Sequence, residues 1–125
     1  MNTDEAPPEL PAGALVQSLV VDADGRRAGY RIFADGRYQT LPRGGGWSDT
    51  TPLDASRLAT VERALDQVPL DDLAGRYEAD TGETEPNVLW FQVARDGSTR
   101  TVSVVGSRRV PELERLTALL TDAFR

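Results

Sequence analysis

The chain has 125 residues, a formal charge of −6 and a balance of 14 basic to 20 acidic residues. It has no His and no Cys, and every basic residue is Arg. These absences exclude thiolate nucleophiles, disulfides and zinc–thiolate sites, the Ser-His-Asp triad, and Schiff-base or P-loop lysine chemistry. The length predicts one domain that buries a core without staples. The acidic balance argues against nucleic acid as a partner, because polyanions are bound through basic surface.

Residues 1–12 carry three prolines and three acids and predict a disordered, acidic, Pro-rich arm. A single domain is expected over 13–125. The N-terminal stretch lacks the basic and apolar regions of a signal peptide, and no apolar run reaches the ~18 residues of a membrane span. The expected location is therefore cytoplasmic, with no membrane partner.

Leu15–Val21, Ala28–Phe33 and Arg37–Leu41 alternate or cluster apolar residues and are separated by Asp24-Gly25 and Asp35-Gly36. Asp-Gly between such runs marks a hairpin, so a three-stranded meander is predicted. Pro42–Thr51 reads as a loop holding Gly44-Gly45-Gly46-Trp47. Phosphate-binding glycines sit directly before a helix and are helped by Lys or by the helix dipole. Here the helix starts several residues later and Lys is absent, so nucleotide binding is discounted. Trp47 either anchors a protein contact or folds back onto the edge of the core.

A helix is predicted from Leu53-Asp54 to Val68, capped by Thr51 with Pro52 behind it or by Asp54 itself. Leu58, Val61, Leu65 and Val68 share its apolar face, and Pro69 ends it. Asp71–Glu85 contains six acids and reads as a loop with a short turn near Leu73. Its Glu78–Glu85 portion offers oxygen ligands for a hard cation but lacks the spacing of a calcium loop, so a solvated loop is expected and no metal or cofactor is predicted.

Val88–Arg95 and Arg100–Val105 form a second hairpin around Asp96-Gly97. Leu89, Phe91 and Val93 share one face, which places Trp90 opposite with Val88 and Gln92. Alternation alone leaves open whether Trp90 lies on an uncovered face or in the core. Pro111 opens a last helix whose face is Leu113, Leu116, Leu120 and Phe124. The expected fold is α+β: an antiparallel sheet of about five strands with two helices on one face, in the order βββ-α-ββ-α. The two hairpin–helix pieces, 30–68 and 89–124, are similar enough to suggest a diverged duplication.

Carboxylate pairs of the glycosidase type, which sit about 5–9 Å apart across a cleft, are not singled out by any spacing here. An enzyme is therefore not expected. The candidate contact residues are Trp47, Trp90 and the acidic-loop residues Asp80, Glu83 and Glu85.

From Leu53-Asp54 to Leu120 the chain resembles small bacterial proteins of unknown function built as hairpin, helix, acidic loop, hairpin and closing helix. The pieces are Tyr30–Tyr38, Leu53–Val68, Leu73–Tyr77, Leu89–Val104 and the run Pro111-Glu112-Leu113-Glu114-Arg115-Leu116. The second half is also similar to emfourins, protein inhibitors of thermolysin-like metalloproteases. Emfourins tend to open with a Gly-Gly-rich first strand segment, where this chain has an Asp-Gly meander. The resemblance implies a protein partner and, in its sharpest form, protease inhibition; it assigns no inhibitory residue. The alternative is a structural homodimer or small subunit of a larger assembly, joined through an open sheet face or edge.

Overall fold

The computed structural model describes residues 8–67, 73, 75–78, 87–95, 97–106 and 108–122. β1 (Ala14–Val21), β2 (Arg27–Phe33) and β3 (Arg37–Leu41) form the expected antiparallel meander. Gly25 and Gly36 take φ of 83° and 91° at the two turns. A Cβ would clash in that left-handed region, and glycine avoids the penalty. In the first turn Asp22 Oδ1 accepts the backbone N–H of Asp24 and of Arg26, at 3.0 and 2.9 Å.

The second hairpin, β6 (Val88–Arg95) and β7 (Ser98–Val105), joins the first through β1, which pairs antiparallel with β6 as well as with β2. Two short strands extend the sheet. β4 (Thr51–Pro52) pairs with β3, and β5 (Arg76–Tyr77) runs parallel to β7. Among the described residues the sheet is therefore mixed and seven-stranded, in the order β4-β3-β2-β1-β6-β7-β5. This corrects the expectation of about five antiparallel strands. A two-residue strand has no alternation to detect, so β4 and β5 leave no pattern in the residues themselves.

α1 (Ala55–Gln67) and α2 (Pro111–Asp122) pack on the same face. Asp54, rather than Thr51, caps α1: its Oδ1 accepts the Arg57 N–H at 2.8 Å and its carbonyl accepts the Leu58 N–H. Thr51 and Pro52 belong to β4 instead. Val61, Ala64 and Leu65 of α1 and Leu113, Leu116 and Leu120 of α2 meet Val16, Ile32, Phe91, Val93, Val102 and Val104 of the sheet in one core. Leu58 is only half-buried. Val68 and Phe124 lie outside the described residues. No helix among the described residues is long and apolar enough to cross a membrane.

Because strand side chains alternate, the residues between those core positions point to the opposite face, the helix-free face, which carries no helix among the described residues. That face carries a second, smaller apolar cluster of Leu19, Leu41 and Trp90, with Val21, Trp47 and Val88 packed against it. It also carries the polar residues from which the candidate site is built.

Candidate functional site on the helix-free face

Gln17 of β1 and Gln92 of β6 are direct cross-strand partners. They are 1% and 4% exposed. A buried amide must find partners or lose roughly 1–3 kcal/mol, and these two find them in each other and in the chain that enters the fold. Gln17 Nε2 donates to Gln92 Oε1 at 3.0 Å and to the Glu9 carbonyl at 3.2 Å. Gln92 Nε2 donates to the Pro8 carbonyl at 2.7 Å. The segment around Pro8 and Glu9 is thus tied to the helix-free face by two side-chain donors on adjacent strands.

Arg31 of β2 sits opposite Gln17 in register. Its Nη1 lies 3.5 Å from Gln17 Oε1, and its Nε donates to Gln39 Oε1 of β3 at 2.8 Å. The guanidinium carbon lies 3.9 Å from the centroid of the Trp47 ring. This is close cation–π stacking, worth about 0.5–2 kcal/mol depending on desolvation. Burial disfavours the charged form of Arg31 and lowers its pKa from the usual value, yet a guanidinium remains protonated at any physiological pH.

The glycine-rich loop is held in place by Ser48. The Ser48 N–H donates to the Thr40 carbonyl at 2.9 Å, and Ser48 Oγ accepts the Thr40 N–H at 3.0 Å. Gln39 Nε2 donates to the Ser48 carbonyl at 2.8 Å. Arg43, from the same loop, closes on Asp22 Oδ2 with both Nε and Nη2 at 2.8 Å. Although burial pushes the Asp22 carboxyl upward, the Arg26 N–H and then Arg43 hold it below the ordinary range. The loop is therefore pinned at two points, to β3 and to the β1–β2 turn, and these points fix Trp47 over Arg31.

The structure brings Trp47 and Trp90 together on this face. Trp47 is half-buried: it folds back onto the small cluster and keeps an exposed margin. Trp90 lies opposite Leu89, Phe91 and Val93, on the helix-free side, and is 6% exposed, packed in the cluster that Trp47 joins, so of the two placements that alternation left open it combines the helix-free face with burial. Asp80, Glu83 and Glu85 lie outside the described residues.

Gln17, Arg31 and Gln39 are not singled out by the motifs of the sequence, and Gln92 only by the face it shares with Trp90. A signal was present in Leu15-Val16-Gln17-Ser18-Leu19 and Trp90-Phe91-Gln92-Val93. A long polar side chain at the centre of a strand, flanked by apolar residues, needs a partner across the sheet.

Away from this face, a concavity of about 430 Å³ opens near the start of α2, lined by Leu89, Val104, Arg108, Val110, Leu113 and Glu114 among others. Arg109 closes its rim by pairing with Glu114, with Nη2 2.6 Å from Oε1. Among the described residues no group of three or more acidic, His or Cys side chains converges as a metal site would require. The helix-free face assembles amide, guanidinium and indole groups, which recognise ligands through hydrogen bonds and stacking. Comparison of the sequence with protein-family models and with curated proteins finds no match.

Proposed function

We propose that this chain is a non-catalytic protein-binding domain whose contact surface is the helix-free face around Arg31 and Trp47. The observation that carries this reading is the Arg31–Trp47 stack, fixed from one side by Gln39 and Gln17 and from the other by Ser48. Trp and Arg are the residues most enriched at binding hot spots, and a pair already held in place loses little freedom on contact.

Within that class, a thermolysin-like zinc protease is the partner to test first, supported by the emfourin-like second half of the sequence. The acidic residues Asp80, Glu83 and Glu85 are the additional contacts this version would use. The experiment is an inhibition titration of such a protease with the folded chain, with Arg31→Ala and with Trp47→Ala. Micromolar or tighter inhibition that weakens about tenfold or more in either variant, as expected on losing a hot spot, supports the reading. No inhibition by the folded chain at micromolar concentration dismisses the protease version. Inhibition that both variants retain places the contact elsewhere.

The homodimer reading finds less support. The two outer strands, β4 and β5, are two residues long and one contains Pro52, which are features that discourage edge pairing. A mass by light scattering that stays monomeric across a concentration range would remove it.

A further inference from the structure

The Pro8–Pro11 segment occupies the helix-free face in a manner that identifies a ligand class. Proline has no N–H, so this stretch cannot add to the sheet as an ordinary strand, and at Pro8 and Pro11 the backbone offers only carbonyls. The face answers with donors. Gln92 and Gln17, side by side on β6 and β1, read the consecutive carbonyls of Pro8 and Glu9. The donors are buried and aligned by the Gln17–Gln92 bond and by Arg31, whose other neighbour is Trp47. Amide donors that take the carbonyls of a proline-containing segment, linked through Arg31 to an indole on the same face, supply the hydrogen-bond donors and the aromatic group that proline-rich peptide recognition uses.

We propose that the Gln17–Gln92 pair with Arg31 and Trp47 forms a binding site for an extended, proline-rich peptide of a partner protein, and that the chain's own Pro8–Pro11 segment fills this site as a displaceable strap. This rests on the preceding reading of the face as a contact surface and names what it contacts. The occupant is defined by what the site already holds: consecutive backbone carbonyls from residues that include proline. A tethered segment competes at an effective concentration on the order of millimolar, so a free peptide meets a site that is mostly occupied. Loosening the strap raises the apparent affinity in proportion to the fraction of open sites.

The test uses the full chain and the peptide Ala-Pro-Pro-Glu-Leu-Pro-Ala, the sequence of residues 6–12. With ¹⁵N-glutamine labelling, the side-chain amides of Gln17 and Gln92 report directly on the site, and Gln67 at the end of α1 serves as the internal control. In the unmodified chain, millimolar peptide is expected to shift the Gln17 and Gln92 amides and leave Gln67 in place. Pro8→Gly with Pro11→Gly frees the strap without touching the site. Each substitution is expected to weaken closure about two- to fivefold through backbone entropy, so the peptide binds about fivefold or more tightly to the double variant. Gln92→Met, in the strap-loosened background, is expected to weaken binding at least tenfold.

Three results would overturn the proposal. One is no response of Gln17 and Gln92 in the strap-loosened chain at several millimolar peptide. Another is binding that Gln92→Met leaves unchanged in a variant whose amide spectrum remains dispersed. The third is a concentration-dependent dimer of the strap-loosened chain that the peptide does not dissociate, which assigns the face to a second copy. If the peptide fails while Arg31→Ala still abolishes protease inhibition, the contact surface stands and only its peptide specificity falls.

Discussion

Replacing one member of the Gln17–Gln92 pair costs more than replacing both. In Gln92→Met the side chain keeps its length and loses its amide. Gln17 Nε2 then lacks the acceptor it holds at 3.0 Å, and the Pro8 carbonyl lacks its donor at 2.7 Å. Gln17 is 1% exposed, so water does not readily replace the lost acceptor. A buried polar group stranded in this way costs about 1–3 kcal/mol, whereas exchanging both partners for apolar groups of similar shape is close to neutral. The expected losses are therefore ~2 kcal/mol for Gln92→Met and ~1 kcal/mol or less for Gln17→Met with Gln92→Met, since the strap carbonyls can turn toward solvent. Gln17→Met alone is expected to cost about 1–2 kcal/mol, because Gln92 Oε1 and the Glu9 carbonyl lose their donor while Gln92 keeps Pro8, just as Gln17 keeps Glu9 in Gln92→Met. The coupling between the two sites would then be about 2–3 kcal/mol in favour of the double variant, well outside additivity. Urea unfolding followed by tryptophan fluorescence measures all four corners of the cycle, and slopes equal to the parent's confirm that the unfolded states are comparable. Additive losses, or a Gln92→Met cost below ~0.5 kcal/mol, would refute the claim that the amides depend on one another for satisfaction.

Alkaline pH gives a second prediction. The Tyr30 hydroxyl is shielded from solvent on the helix side, and burial pushes its pKa up to about 12 from 10.0, with the Ser18 hydroxyl opposing the shift. The folded state prefers the neutral phenol, so this contribution is complete below pH 10 and is lost as pH rises through about 12. It amounts to roughly 2–3 kcal/mol; urea midpoints measured from pH 9 to 12 should fall, and Tyr30→Phe should flatten the decline. In β2, a Cβ at Gly29 would lie 1.9 Å from the Ser18 carbonyl oxygen. Because β1 is paired on both sides and cannot yield easily, Gly29→Ala should cost about 3 kcal/mol or more; a loss under ~1 kcal/mol by urea unfolding would show that the strands separate freely. Asp54→Ala removes the α1 cap and should cost about 1 kcal/mol with a small loss of helical circular dichroism, while Asp54→Asn or Asp54→Ser should restore most of it.

The local grammar of the chain was legible in its sequence. Asp24-Gly25 and Asp35-Gly36 announce turns because glycine alone enters the required φ without penalty, and the structure places hairpins there. Apolar spacing identified α1 and α2 and the faces they bury, since a helix stripe and a strand face are properties of consecutive residues. Asp54 was one of two caps that spacing allowed; pairing of Thr51–Pro52 with β3 decided between them.

The site belongs to the tertiary structure. Gln17 and Gln92 are 75 residues apart and meet only because β1 pairs with β6, a choice that alternation within either strand does not encode. Trp47 came with two readings because a ring on a glycine-rich loop is positioned by whatever holds the loop. Here that is Ser48 on β3 and Arg43 on Asp22, each contact long-range or side-chain mediated. Period-two alternation placed Trp90 opposite Leu89, Phe91 and Val93 but left open which of those faces the helices cover; its burial depends on Leu19, Leu41 and Trp47 arriving from three other segments. Sequence by itself thus determined where the chain turns and which residues share a face, through φ preference and hydrophobic period. Only the assembled sheet decided which polar groups lie side by side on its second face, because hydrogen-bond partners there are chosen by strand order and not by neighbours in the chain.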